Sequence, residues 1–450
     1  MTIFLQQDVE LGIVLYLVLG LATLWVLSRM GKGREALMLF GGAMIFHGVF
    51  VLFLHYTGFQ PFTGGDYSGY HISAQQVAER FRQGIFSLEG LRIPHAYPVI
   101  VGVLYALLVP SMVIGQFFNA WLGALTVVLL YFLAKEVGAS KRWAMAIGLI
   151  GMVYPSFVFF GNLLLKERMV TVFTLAALLL SLRMLQSFSW RQVPFLFFFL
   201  TALTNFRFYI GMVFIFVFLI SWLLFSEEPL LRRALTGFVL FLLLGFVPLL
   251  NGSDYYAATF ITRFLEPDVA RYYKEEVFNP KVNYGTPVKR AVQEAVSQLP
   301  NNNFGAQDSS GDTAERASKE SRNKSSVNYL STGFENPGVF LWNYVRSFAL
   351  AALGPFPWHI KTPAQSAALL ETIPWLALAV LAGKGIFEQF RQNFRSPSFL
   401  LVLFALAILA VLAFYFNNFG ILMRIRVPAV LALLPFISLA FHPKPITKLK

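Results

Sequence analysis

Long apolar runs recur from one end of the chain to the other, separated by short polar turns. Residues 11–28, 36–54, 111–133, 143–160, 170–185, 209–225 and 398–416 are the clearest. They exceed the roughly ten-residue alternating strands of a membrane barrel and approach the ~20 residues that a helix needs to cross a bilayer. Helices satisfy their own backbone in hydrocarbon, so the reading is an all-α polytopic membrane protein. Composition agrees: 57% of the residues are hydrophobic and 13% charged, against about 25% charged in a soluble domain. The net charge of +13 does not point to nucleic acid. Its Lys and Arg form short clusters between apolar runs, as the positive-inside bias requires, and others meet anionic headgroups. Without cysteine there is no disulfide, thiolate nucleophile or Cys-held metal. Asp8 and Glu10 precede the first run where a signal peptide carries basic residues, which predicts an uncleaved first helix.

The charges predict a topology. Arg29, Lys32 and Arg34 place the first turn in the cytoplasm. Residues 36–54 return outward, and 55–97 form the first outer loop, whose segment 72–83 has the spacing of an interfacial helix. Residues 99–109 are too short to span and read as interfacial or re-entrant. The runs 111–133, 143–160, 170–185, 194–206, 209–225 and 236–250 then alternate across the membrane. Residues 251–337 are hydrophilic: the first half suits a small outer domain, and 301–326 read as disordered. Residues 342–353 form a second interfacial helix, and 373–387, 398–416 and 427–440 close the bundle. The expectation is about eleven transmembrane helices, interfacial helices and one long extracytoplasmic loop. The divisions are 1–250, 251–337 and 338–450. No internal repeat supports a transporter of inverted halves.

This topology gathers Asp66, Lys166, Glu167, Arg168, Arg207, Arg424 and Arg426 at the outer ends of helices. Charges at membrane depth are costly and mark function by default. Asp66 lies in the Gly-rich run from Gly64 to His71. A carboxylate can take a proton or hold a metal, and a guanidinium grips phosphate oxygens in a fork. A site joining a phosphate-linked donor to a hydroxyl acceptor needs both. The plainer readings compete. Asp66 also suits an ordinary turn, Lys166 to Arg168 a solvated helix end, Arg207 a snorkelling side chain, and Arg424 with Arg426 an inner basic turn.

Further elements lie in a fixed order: Tyr70 and His71 after the aspartate, and Arg92 to Pro98 ahead of a short apolar run with Gly102. Next come Tyr131 to Gly138 before a basic turn, Tyr154 with Pro155, Glu167 opening a helix, and Arg424 to Pro428 near the end. In that order they resemble the GT-C superfamily, which includes the aminoarabinose transferases and protein O-mannosyltransferases. The resemblance implies inverting transfer from a polyprenyl-phosphate sugar to a glycolipid, polysaccharide or protein hydroxyl. Asp66 would be the base and Glu167 the second catalytic acid. Tyr70, His71, His95, Lys166, Arg207, Arg424 and Arg426 would bind substrate. Tyr67 stands where many members have a second acid after the aspartate, which leaves a divalent metal open. The implied setting is the periplasmic face of a bacterial inner membrane, with undecaprenyl phosphate carrying the sugar. A polysaccharide polymerase or ligase using a lipid-diphosphate donor is the nearest alternative. A lipid or solute transporter is the alternative from another class. It would place polar residues at mid-helix depth, and Asn119 is the main example.

Overall fold

The computed structural model describes residues 2–31, 33–58, 66–91, 93, 95–245, 337–360, 366, 368–415 and 419–441. The hydrophilic stretch 251–336 and the glycines before Asp66 lie outside them. Among the described residues the regular elements are all helical. Among the described residues six helices are long and apolar enough to cross a membrane, or seven if one bent pair counts as a single span. The expected eleven are not reached among those residues by length and composition. The runs near 194–206 and 236–250 give helices of 14 residues each, short of the ~20 that a span needs.

The chain divides into two compact units. One comprises residues 1–244, 370–408 and 423–450, and the other 245–369 and 409–422. In the second, α12 (Pro337–Leu353) is held to the later part of α14 (Phe399–Tyr415) by side chains reaching backbone carbonyls. Tyr344 donates to the Ala410 carbonyl at 3.0 Å and Ser347 to that of Ala413 at 2.6 Å. The first unit carries all the residues singled out above.

The axis of the first unit is α5 (Met112–Val137). It is apolar all round and largely buried, as a helix with no polar face must be. Against it lie α1 (Thr2–Arg29), α2 (Arg34–Thr57), α6 (Lys141–Val153) and α8 (Glu167–Gln186). Asn119 is a mid-helix polar residue with a structural task. Its amide donates to the carbonyls of Leu163 at 2.6 Å and Leu165 at 2.9 Å. It thereby satisfies the irregular backbone just before α8, which hydrocarbon would otherwise penalise. Glu167 is the first residue of α8, so this bond helps fix where that carboxylate starts.

One sequence expectation shifts at a helix start. Asp66 does not sit in a loop: it opens α3 (Asp66–Arg82). α8 begins at Glu167, the residue expected to open a helix. A carboxylate is favoured at a helix N-terminus, whose free N–H groups and dipole attract it.

The amphipathic α3 lies along the short α4 (Ala96–Leu107) and buries Ala74, Val77 and Ala78. Gly102 permits the approach, since a Cβ there would lie 2.6 Å from that of Val77 and 3.0 Å from the Ala74 carbonyl. At the other end Arg82 caps α4, donating to the Tyr105 carbonyl at 2.7 Å, that of Leu108 at 2.9 Å and that of Ala106 at 3.2 Å.

The expected span 143–160 is broken. α6 stops at Val153, and α7 (Pro155–Gly161) continues at 51° to it. Pro155 explains the break, because proline lacks an N–H and drives the preceding residue out of helical geometry. Tyr154 is accordingly extended, with ψ 120°. The expected helix 427–440 is also interrupted. It resolves into α16 (Val427–Leu433), a 3₁₀ turn containing Pro435, and α17 (Ile437–Phe441). The remaining helices are α9 (Val193–Phe206), α10 (Phe208–Phe225), α11 (Leu230–Leu243), α13 (Leu369–Gln392) and α15 (Phe419–Ile425).

Candidate active site

Four of the residues singled out from the sequence meet in one cluster. Arg424, on the last turn of α15, donates to Asp66 Oδ2 at 2.9 Å, and its Nε lies 3.1 Å from Glu167 Oε1. Arg207, between α9 and α10, donates to the same Glu167 oxygen. Thus one arginine joins two carboxylates and two arginines share one. The burial is graded. The side chains of Arg424 and Glu167 are 14% and 10% exposed, whereas that of Asp66 is 53% exposed. Asp66 is the group open to an incoming molecule, and the other three form the wall behind it.

Lys166 immediately precedes Glu167. Burial, then the charges of Arg207 and Arg424, bring its ammonium down to about 8, against the opposing pull of Glu167 and Asp66. Tyr70 lies one helical turn beyond Asp66 on α3, on the same face. Burial and the negative charges of Glu167 and Asp66 push its phenol up to about 12, so it remains a hydrogen-bond donor at neutral pH. Tyr209, which the sequence reading missed, has its hydroxyl 3.4 Å from Arg207. Its position two residues from a charged helix end was the available signal.

The two histidines hold the frame. His95 caps α4, its Nδ1 accepting from the Tyr97 N–H at 3.3 Å. Its ring meets that of Tyr70 edge-on at 4.8 Å. Burial, then the Lys166 charge, bring its imidazole down to about 4. A neutral ring is what an accepting cap requires. His71 Nδ1 is 2.9 Å from the Tyr105 hydroxyl, a bond between α3 and α4, and burial lowers its proton affinity.

Arg426 is placed elsewhere, fully buried and bonded to Glu371 Oε1 at 2.6 Å. Tyr154 donates to the same oxygen at 2.7 Å, and the Ser156 N–H donates to Oε2 at 2.8 Å. This set ties the α6–α7 break to α13 and to the start of α16. Glu371 was not singled out from the sequence, although an acid three residues before a helix-interior proline is a legible oddity.

The donor set does not suit a divalent metal. Asp66 and Glu167 are both occupied by guanidiniums, and no group of three His, Asp or Glu side chains converges among the described residues. The arrangement suits an anion instead. A phosphate approaching Asp66 would meet two arginines, a lysine and a phenol donor.

Residues 85–250 match the family model for dolichyl-phosphate-mannose-protein mannosyltransferase, which is a GT-C family. The matched stretch contains His95, Lys166, Glu167 and Arg207, whereas Asp66 and Arg424 lie outside it. No curated protein matches the chain. With its apolar helices the chain is a multi-pass membrane protein, and its residues 85–250 are similar to a family of GT-C glycosyltransferases.

Proposed function

We propose that the enzyme transfers a sugar from a polyprenyl-phosphate donor to a hydroxyl-bearing acceptor, with inversion, and that Asp66 is the base. The observation that carries this reading is the ion cluster of Asp66, Arg424, Glu167 and Arg207. The acceptor oxygen attacks the anomeric carbon as Asp66 takes its proton. The bond from that carbon to the phosphate oxygen breaks, and the electron pair leaves with the phosphate. A singly charged phosphodiester becomes a monoester with a second negative charge. Groups aimed at that growing charge favour the transition state over the ground state. Arg207, Arg424 and Lys166 are the groups for this task, each such donor being worth about 3 kcal/mol in a typical case.

Glu167 acts differently from Asp66. It is nearly buried and engaged by two arginines, so its part is to hold them at the right spacing. Undecaprenyl phosphate is the donor lipid, and the cluster faces the periplasm of a bacterial inner membrane. The positive turn around Arg29 and Arg34, on the opposite end of α1 and α2 from Asp66, supports that orientation. The acceptor is a glycolipid, polysaccharide or protein hydroxyl.

The test is a transfer assay on the reconstituted full chain with a panel of undecaprenyl-phosphate sugars. Asp66→Asn keeps the shape of the side chain and removes the base. It is expected to lower kcat by at least ~100-fold, within the range for losing a general base, while expression and thermal stability stay near wild type. Turnover at the wild-type rate would take Asp66 out of the mechanism.

A further inference from the structure

Arg168 follows Glu167 in the chain but turns away from the cluster into the helix bundle. It is fully buried. Its guanidinium lies 3.5 Å from the centre of the Phe157 ring. Two glycines make the space for it. A Cβ at Gly161 would lie 1.9 Å from its Nε, and one at Gly123 would lie 2.7 Å from a terminal nitrogen. One terminal nitrogen is 3.4 Å from His47 Nδ1. A guanidinium can only donate, so Nδ1 accepts and the ring proton is on Nε2. The Arg168 Nε and other terminal nitrogen have no hydrogen-bond partner among the described residues. Buried donors of a charged group left unpaired are costly.

Arg168 lines a small cavity whose polar walls are Ser156, Glu167, Thr171 and Arg424, with Phe157, Phe160 and Val427 among its apolar ones. Its volume is about 10 Å³, near the lower limit for holding one water. Two of the lining residues carry further buried atoms without partners among the described residues, the Ser156 hydroxyl and Glu167 Oε2. The residues lining it thus bring together unpaired donors on Arg168, an unpaired acceptor on Glu167 and the Ser156 hydroxyl, a third group for the same occupant. A water satisfies both kinds of group, whereas an anion would face the Glu167 carboxylate.

We propose that one water occupies this cavity, accepts from Arg168 and donates to Glu167 Oε2, and so makes Arg168 a positioning residue for Glu167. Holding Oε2 from behind leaves Oε1 free to take Arg207 and Arg424. Arg168 never meets substrate: it sets the angle of the acid that spaces the two phosphate-facing arginines. Its effect on turnover rests on the transfer reaction proposed above, whereas the water site does not.

Two measurements test it separately. A high-resolution map of the full chain in lipid nanodiscs is expected to show one peak within about 3.2 Å of Glu167 Oε2 and of an Arg168 nitrogen. The peak should persist when chloride is left out of the buffer. An empty cavity, a direct Arg168 to Glu167 ion pair, or a peak that disappears with chloride overturns the site. In the transfer assay, Arg168→Met is expected to lower kcat about tenfold, with donor KM within about threefold. Arg168→Lys, which keeps a charged donor nitrogen, should recover part of the loss. Ser156→Ala covers the case in which the Arg168 variants do not fold, and should lower kcat a few-fold. Wild-type kcat in a folded Arg168→Met or Ser156→Ala protein overturns the positioning role. A wild-type chain that transfers no sugar counts against the reaction and leaves the map to decide the water.

Discussion

Arg424 reaches two carboxylates at once, and one of them is open to solvent while the other is not. That asymmetry underlies the different roles proposed for Asp66 and Glu167. Lys166 adds a pH dependence of its own. Burial and two neighbouring arginines bring its ammonium to about 8, so it is charged below that value and neutral above it. An anionic donor is held better by the charged form. Donor KM is therefore expected to rise as pH passes about 8, measured by initial rates across about one unit on either side. Lys166→Arg keeps its charge throughout that interval and should flatten the rise. A wild-type KM that stays constant across it would remove Lys166 from donor binding.

At the scale of elements, α3 is aimed by its contact with α4. Gly102 is the point of closest approach, and part of what a Cβ would meet there is backbone, which cannot rotate away. Gly102→Ala should lower stability by about 1–3 kcal/mol, as overpacking does. It should lower kcat too, because α3 moves and carries Asp66 with it. Gly69→Ala is the control on the same helix, since a Cβ there meets nothing within 4 Å. It should be neutral or stabilise by up to ~1 kcal/mol. Thermal unfolding in detergent and transfer rates would check both.

The elements also show what a sequence reading can reach. Hydropathy gave the helices, because a bilayer leaves the backbone few alternatives. Charge at membrane depth picked out Asp66, Glu167, Arg207 and Arg424, since such residues are seldom kept without a partner. Helix starts were harder. Asp66 reads as a turn residue beside its glycines, yet it opens α3. Arg424 and Arg426 are two residues apart and look equivalent. Arg424 is on the last turn of α15 and Arg426 stands at the break before α16, and they reach Asp66 and Glu371 respectively. Only the partners tell them apart. Glu371 and His47 depend on tertiary contacts that leave little trace in local spacing.

Across the whole fold, the two neighbouring arginines are expected to affect different quantities, Arg426 stability and Arg424 transfer. The Arg426 to Glu371 pair is buried, with Tyr154 and the Ser156 N–H completing the hydrogen bonds of the acid. Removing one partner of such a pair strands the other. Arg426→Met should therefore cost about 3–5 kcal/mol of stability. Whatever folds should keep donor KM near wild type. Arg424→Met should do the reverse, with a small change in unfolding temperature and a large loss of transfer. Donor titrations beside thermal melts would separate the two. A matching fall in both quantities for both variants would mean that the pairs form one unit.

The order in which these residues are made has a consequence for biosynthesis. Asp66 and Glu167 emerge from the ribosome early, and the cation that joins them emerges late, on α15. A nascent chain halted after α14 holds Asp66 and Glu167 without the Arg424 that joins them. Under the proposed reaction, such an unfinished polypeptide is expected to transfer no sugar.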